Sequence, residues 1–137
     1  MEKSQLRKDL KIGTPILHPT SFIAKGAQII GDVELKSYAS VWYNCVLRAD
    51  INKIIIGERS NIQDNCTIHL ENDLGVNVGN DVTVGHNVIL HGCNIENGAL
   101  IGMGSIIMNG VKIGRGSIIG AGSVITEKMI IPDFSVV

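Results

Sequence analysis

Three of the four histidines in this sequence lie close together: His69, His86 and His91, separated by sixteen and four residues. A neutral imidazole is the commonest metal ligand in proteins, and a catalytic zinc site usually has three protein ligands with one position open to water. The residue types and their number therefore predict a site for a divalent metal. The fourth histidine, His18, stands beside Pro19 and is interpreted as a turn residue.

Whether these histidines can meet depends on the fold, which a regular series of aliphatic residues predicts. An aliphatic residue recurs every six positions, with three extra residues after Leu47, four extra after Ile68 and one fewer after Leu90. The eighteen members of the series, called ranks below, are Ile23, Ile29, Leu35, Val41, Leu47, Ile56, Ile62, Ile68, Val78, Val84, Leu90, Ile95, Ile101, Ile107, Ile113, Ile119, Ile125 and Ile131.

A period of six excludes an amphipathic helix, whose period is 3.6, and a simple alternating strand. It is typical of a parallel β-helix, in which each hexapeptide forms a strand and a turn and three hexapeptides form one triangular coil. We predict an all-β single domain over residues 1–137 with about six coils. Its parts are a lead-in (1–22), the hexapeptide coils (23–131) and a C-terminal end (132–137).

Charge and cysteine content limit the function classes. The net charge is −1 and charges of both signs are scattered, which argues against nucleic acid or an anionic membrane as a partner. The apolar runs are too short to span a membrane, and the N-terminus lacks the apolar core of a secretory signal. The three cysteines suit a reducing compartment better than a disulfide framework. We therefore expect a cytoplasmic protein.

The ranks also predict which polar residues share a face, because positions three ranks apart lie one coil above another. Arg48, His69 and His91 then form one outward column, while Asp64 lies beneath His86 on a different face. His69 and His91 can share a metal within one chain, but His86 of that chain should not reach it. A third imidazole from a neighbouring subunit would complete the site, which predicts a homotrimer with sites between protomers.

The motifs around the histidines add a family resemblance. They are Trp-Tyr-Asn-Cys-Val-Leu-Arg-Ala-Asp at 42–50, Asn-Ile-Gln-Asp-Asn-Cys-Thr-Ile-His at 61–69, Gly-His at 85–86 and His-Gly-Cys at 91–93. Over about residues 13–137 the chain resembles the gamma-class carbonic anhydrase family. The resemblance implies a left-handed β-helix and a homotrimer that hydrates CO2 to bicarbonate.

The resemblance also implies roles for individual residues. His69, His86 and His91 would bind Zn²⁺, or Fe²⁺ or Co²⁺, with two histidines from one subunit and one from its neighbour. Gln63 would orient the metal-bound hydroxide. The remaining motif residues would tie subunits together around the site: Arg48, Asp50 and Asp64.

The chain departs from the family's established members in two places. The loop after His69 is short and offers only Glu71 and Asp73 as candidate proton shuttles, and Ile51 stands where active members have an acid. We therefore expect weak CO2 hydration unless one of these two carboxylates carries the proton away. The C-terminal helix that usually follows the last coil in this family is absent from the sequence, which ends at Val137.

Two other functions remain open. One is a hexapeptide acyltransferase or acyl-CoA thioesterase, a class that typically uses one histidine as general base without a metal. The other is a metal-binding trimer without catalytic activity. Outside the site, Cys45 and Cys66 are expected as packed thiols, Trp42 as an outward residue of the subunit interface, and Asn109-Gly110 as a turn only.

Overall fold

The computed structural model describes residues 12–137, which form parallel strands wound into a left-handed β-helix of about six coils. The seventeen strands are β1 (Ile16–Leu17), β2 (Phe22–Ile23), β3 (Gln28–Leu35), β4 (Ser40–Val41), β5 (Val46–Ile56), β6 (Asn61–Ile62), β7 (Thr67–His69), β8 (Val76–Val78), β9 (Thr83–Val84), β10 (Ile89–His91), β11 (Asn94–Ile95), β12 (Leu100–Ile101), β13 (Ile106–Ile107), β14 (Lys112–Ile113), β15 (Ile118–Ile119), β16 (Val124–Ile125) and β17 (Ile130–Ile131). The predicted fold class is confirmed. Within residues 12–137 there is no helix long and apolar enough to cross a membrane.

The strands make three faces of a triangular prism. The first face is the six-stranded sheet β2-β4-β6-β9-β12-β15. The second face contains the first residues of β5 together with β7, β10, β13 and β16. The third face contains the last residues of β5 together with β8, β11, β14 and β17. Because β3 and β5 bend around the corner between the second and third faces, these two faces form one eleven-stranded sheet.

The register follows the predicted ranks. Leu47 pairs with Ile68 and Ile68 with Leu90 on the second face, while Ile62 pairs with Val84 on the first. All ranks from Leu35 to Ile131 are buried, and they stack as a narrow aliphatic core. Burial of this surface is the main stabilising contribution, so each coil is held by the coils above and below it.

The breaks in the six-residue period collect at one corner, between the second and third faces. Gly31 pairs with Ala49 and Val33 with Ile54, so four residues of β5 bulge opposite one residue of β3. In the next coil the extra residues form a loop at 70–75, and the shortened turn at 92–93 follows in the coil after that. We call residues 50–53, 70–75 and 92–93 the irregular corner.

Two boundaries differ from the prediction. Ile16 and Leu17 pair in parallel with Glu34 and Leu35, so the coils begin inside the predicted lead-in. Leu17 lies six residues before Ile23 and continues the series of ranks. At the other end Val136 bridges to Ile118, so the winding continues past Ile131. The first eleven residues of the predicted lead-in lie outside the described part of the chain.

Ile113→Ala is expected to lower the free energy of unfolding by about 2–5 kcal/mol, because it opens a cavity in the stacked core. Ile113 is fully buried on the inner side of β14, whereas Ile130 on neighbouring β17 is 69% exposed. Ile130→Ala is the matched control and should change the value by less than about 0.5 kcal/mol. Urea unfolding at a fixed chain concentration measures both. Equal effects would contradict the assignment of inner and outer positions.

Candidate metal site

The histidines that end β7 and β10 form a pair. His69 and His91 are register partners on neighbouring coils, and His69 Nδ1 lies 3.1 Å from His91 Nε2. The ring centroids are 5.1 Å apart and both side chains are half-buried. The predicted stacking of these two residues on one face is confirmed.

Asp50, in the bulge of β5, fixes the orientation of the first ring. Its side chain is 5% exposed, Oδ1 lies 2.8 Å from His69 Nε2, and Oδ2 accepts a hydrogen bond from Arg48. Burial alone would raise the pKa of Asp50, but the hydrogen bonds from His69 and Arg48 outweigh it and lower this pKa. An ionised carboxylate can only accept a hydrogen bond, so His69 Nε2 carries the hydrogen and Nδ1 is the free nitrogen.

The second ring has an outer partner that the sequence did not predict. Asn109 Oδ1 lies 2.6 Å from His91 Nδ1, and Asn109 Nδ2 lies 3.4 Å from Glu71 Oε1 in the loop at 70–75. The prediction that Asn109 is a turn residue only is therefore incomplete. The backbone explains the contact: the N–H of Gly110, the next residue, donates to the carbonyl of Gly92 at 2.7 Å and so brings Asn109 beside His91.

Gly92 makes room for this contact. Its φ is +54°, a left-handed conformation, and a Cβ built there would lie 2.8 Å from Asn109 Oδ1. A side chain at this position would therefore strain the backbone and displace the amide beside His91. The glycine of the His-Gly-Cys motif allows the second ring to keep its partner.

The remaining predicted residues lie elsewhere on the prism. His86 occupies the turn between the first and second faces, where Nδ1 lies 3.0 Å from Asp64 Oδ2 in the coil below. Gln63 follows β6 on the first face and donates to Asn61 Oδ1 at 3.2 Å. Within residues 12–137 no three histidine, cysteine or acidic side chains of one chain converge as a metal cage. The structure thus brings His69 and His91 together but leaves His86 with Asp64.

The asparagines of the motifs have a structural role. Asn44, Asn65 and Asn87 have φ near 60° at the corner that carries His86. Asparagine tolerates this left-handed conformation better than most residues. The Asn that follows Asp64 and the Asn that follows His86 thus turn the chain so that these two side chains stack.

The cysteines have no ligand role in this arrangement. Cys45, Cys66 and Cys93 are buried and free, and burial raises the pKa of Cys93 to about 12. Cys45 donates to the carbonyl of Gln63 at 2.9 Å, and Cys66 to that of Gly85 at 3.1 Å. The prediction of packed thiols at Cys45 and Cys66 is confirmed.

The two carboxylates of the short loop differ in their surroundings. Glu71 is exposed and contacts Asn109, so it lies two hydrogen bonds away from His91. Asp73 is also exposed but lines a groove of about 390 Å³ on the third-face side, together with Lys53 and Lys112. Of these two carboxylates, Glu71 is therefore the one linked to the histidine pair, through Asn109.

Comparison with known proteins identifies two hexapeptide families in adjacent parts of the chain. "Hexapeptide repeat of succinyl-transferase" matches residues 53–91, and "Bacterial transferase hexapeptide (six repeats)" matches residues 92–127. The hexapeptide transferase family protein of Anaplasma phagocytophilum, a solved structure, is 44% identical with a TM-score of 0.85; the match covers 88% of this chain and 71% of that chain.

Two curated relatives carry carbonic anhydrase names. The "Probable carbonic anhydrase" of Methanocaldococcus jannaschii is 52% identical over 81 residues, which is 59% of this chain and 51% of that protein. Gamma carbonic anhydrase 2, mitochondrial, of Arabidopsis thaliana is 41% identical over 98 residues, which is 67% of this chain and 35% of that protein. The matches thus span about half or less of these relatives.

Proposed function

This chain belongs to the gamma-class carbonic anhydrase-like family of hexapeptide-repeat proteins, and we propose that it hydrates CO2 to bicarbonate at metal sites shared between the subunits of a homotrimer. His69 and His91 of one chain and His86 of the next would bind the metal. The observation that carries the proposal is the approach of His69 Nδ1 to His91 Nε2 at 3.1 Å. The other ring nitrogen of each histidine contacts an oxygen of Asp50 or Asn109.

The chemistry of this donor set fits a divalent metal. Two imidazole nitrogens that bind one tetrahedral Zn²⁺ at about 2.0–2.1 Å are roughly 3.3 Å apart, close to the separation seen here. Asp50 behind His69 is the carboxylate–histidine arrangement typical of metal sites. Zn²⁺ is the metal we propose, and Fe²⁺ or Co²⁺ would also suit imidazole ligands.

The distribution of exposed apolar residues supports a trimer. The second face exposes one column of large aliphatic residues: Ile89, Ile106 and Val124. The first face exposes Leu100 and Ile118 on neighbouring coils, and Phe22 at the other end of the same column. In the same coils the outward positions of the third face are polar, namely Asn77, Asn94 and Lys112, and the positions before and after them are Ile55 and Ile130. Contact between the first face of one subunit and the second face of the next would join two unlike surfaces, which is the head-to-tail contact that a closed ring of subunits requires.

His86 lies at the corner between these two apolar faces, at the opposite edge of the second face from His69 and His91. A neighbour whose His86 corner contacts the second face near its far edge would bring its own His86 to the histidine pair. Gln63 and Asp64 would come with it, since both lie near that corner. The same contact would cover Trp42, which is 37% exposed. The centroid of the Trp42 ring lies 5.2 Å from that of the Phe22 ring.

In this mechanism the chain's residues hold and orient the reacting groups. When bound, a divalent metal would lower the pKa of a water to about 7, so that hydroxide is available to attack CO2. Asp50 and Asn109 keep the two rings in place, and Gln63 of the neighbouring subunit would orient the attacking oxygen. The released proton must then leave the site, and within residues 12–137 the exposed carboxylates of the loop at 70–75 are the candidates for that step.

An acyltransferase is the second candidate, because the Anaplasma relative is described as a hexapeptide transferase. A His69–Asp50 pair could serve as a general base. However, the free nitrogen of His69 points at His91 Nε2 only 3.1 Å away, which leaves no space there for a substrate hydroxyl. The site therefore favours a metal over a lone general base.

Metal analysis of the purified protein tests the proposal. We expect about one divalent metal per chain, loss of CO2 hydration after chelation, and recovery when Zn²⁺ or Co²⁺ is added back. Transfer of acetyl groups from acetyl-CoA by the metal-free protein would instead support the acyltransferase. A metal-loaded trimer without hydration activity would indicate a metal-binding protein without catalytic activity.

Turnover is expected to rise with buffer concentration, because general acid–base assistance is typically worth about 10²–10⁴-fold and the site lacks a committed shuttle. The measurement is CO2 hydration by the metal-loaded protein over a series of imidazole concentrations at constant ionic strength. Asp73→Ala should change little, since Asp73 faces the groove rather than the histidines. Fast turnover in dilute buffer that is lost in Asp73→Ala would contradict this expectation.

A further inference from the structure

We propose that Asn109, oriented by Glu71, is the positioning residue that places the hydrogen of His91 on Nδ1 and leaves Nε2 free for the metal. The proposal rests on the function proposed above and assigns a new role to two residues of this chain. Neither residue would touch the metal or the substrate.

The orientation of the Asn109 amide follows from its second contact. An ionised Glu71 carboxylate can only accept hydrogen bonds, so the group that faces it at 3.4 Å must be the amide nitrogen. The amide oxygen then faces His91 Nδ1 at 2.6 Å. An amide oxygen can only accept, so Nδ1 of the neutral His91 ring carries the hydrogen.

The loop at 70–75 holds Glu71 where it can do this. The Glu71 N–H donates to the carbonyl of Leu74 at 3.0 Å, and Leu70 is buried in the core beside it. The extra residues of this coil therefore do more than bridge two strands. They place a carboxylate against Asn109, which contacts the second histidine, whereas the bulge of β5 places Asp50 directly against the first.

The two outer partners together produce an unusual arrangement at the centre. When both rings are neutral, these partners leave His69 Nδ1 and His91 Nε2 without hydrogen, and the two atoms face each other at 3.1 Å. Two acceptors at this distance repel unless a proton or a cation lies between them. The hydrogen positions that Asp50 and Asn109 impose thus make the pair ready for a cation before one binds.

The test combines metal affinity with the hydrogen position on His91. Asn109→Leu keeps the side-chain size but removes the acceptor, and Glu71→Ala removes only the group that orients the amide. Asn77→Leu is the matched control, because Asn77 is exposed on the third face. Zn²⁺ affinity is measured by chelator competition, and the tautomer of His91 by ¹⁵N NMR of the metal-free protein at a pH where all imidazoles are neutral.

We expect wild-type His91 in the Nδ1–H form and a mixture of tautomers in Asn109→Leu. Zn²⁺ binding should weaken about 10–100-fold in Asn109→Leu, as is typical for loss of an outer partner. Glu71→Ala should shift both readouts in the same direction by a smaller amount, and Asn77→Leu should shift neither.

Two outcomes overturn this role and leave the proposed function standing. One is an Nε2–H tautomer of His91 in the wild type, which needs no variant to fold. The other is unchanged Zn²⁺ affinity in Asn109→Leu while His91→Ala abolishes binding. If His91→Ala itself keeps wild-type Zn²⁺ affinity, the proposed metal site fails instead, and the role of Asn109 fails with it.

Discussion

Replacing His86 with Ala is expected to remove the metal from the site and to weaken the trimer at the same time. The metal would bridge two chains, so the loss of the one ligand from the second chain removes both a metal bond and an intersubunit link. Affinity for Zn²⁺ should fall by more than about 100-fold, because even an outer partner of a ligand is worth about 10–100-fold.

His18→Ala is the matched control for this experiment. His18 is exposed in a turn and bonded to Thr20, and it is not one of the predicted ligands. Chelator competition gives the affinity, and light scattering at micromolar chain concentration gives the oligomeric state. A His86→Ala protein that still binds one Zn²⁺ per chain with wild-type affinity would show that His86 is not a ligand.

Asp50→Ala is expected to have the second largest effect, because one buried carboxylate holds both His69 and Arg48. Without it, His69 can turn or change its tautomer, and metal affinity should fall about 10–100-fold. The metal-free protein should also lose roughly 1–3 kcal/mol of stability, since a half-buried N–H is left without an acceptor.

Asp81→Ala is the matched control, because it also removes an aspartate–arginine pair but one that does not contact a histidine. Asp81 pairs with Arg59 at 2.7 Å, but both side chains are more than half exposed and lie away from the histidines. Its removal should cost less than about 1 kcal/mol and leave Zn²⁺ affinity unchanged. Equal losses in the two variants would mean that Asp50 acts only as a surface ion pair.

For Asp50→Ala we also expect the difference in unfolding free energy from the wild type to depend on pH. The pKa of Asp50 is lowered in the folded protein, so its stabilising contribution is present at neutral pH and is lost as pH falls through the lowered value. The difference in unfolding free energy between the metal-free wild type and Asp50→Ala should therefore shrink below about pH 4. A difference that grows on acidification would contradict the assigned direction.

The repeat made most of the fold predictable. Each rank residue points inward, and the burial of these aliphatic side chains sets the register of the whole coil. For this reason the pairing of Ile68 with Leu90, and with it the stacking of His69 and His91, could be counted from spacing alone. The insertions and the deletion in the six-residue period were also informative, since they mark the irregular corner beside the histidine pair.

The outer partners of the histidines could not be predicted in this way. Asp50 lies in a bulge, where the count of residues no longer tells which way a side chain points. The resemblance implied a role for Asp50 between subunits, but it did not predict the hydrogen bonds to His69 and Arg48 within the chain. Asn109 reaches His91 because two corner glycines, Gly92 and Gly110, lie on top of each other, and this depends on backbone angles.

Mixed trimers test most directly whether each site is shared between two chains. His69→Ala and His86→Ala chains with different tags can be co-expressed, and trimers that contain both are isolated by two affinity steps. Neither variant alone should bind Zn²⁺. A closed ring of both chains contains one interface with an intact pair on one side and an intact His86 on the other, so mixed trimers should bind about one Zn²⁺ and regain hydration activity. Mixed trimers that remain free of metal would contradict a site built from His69 and His91 of one subunit and His86 of the next.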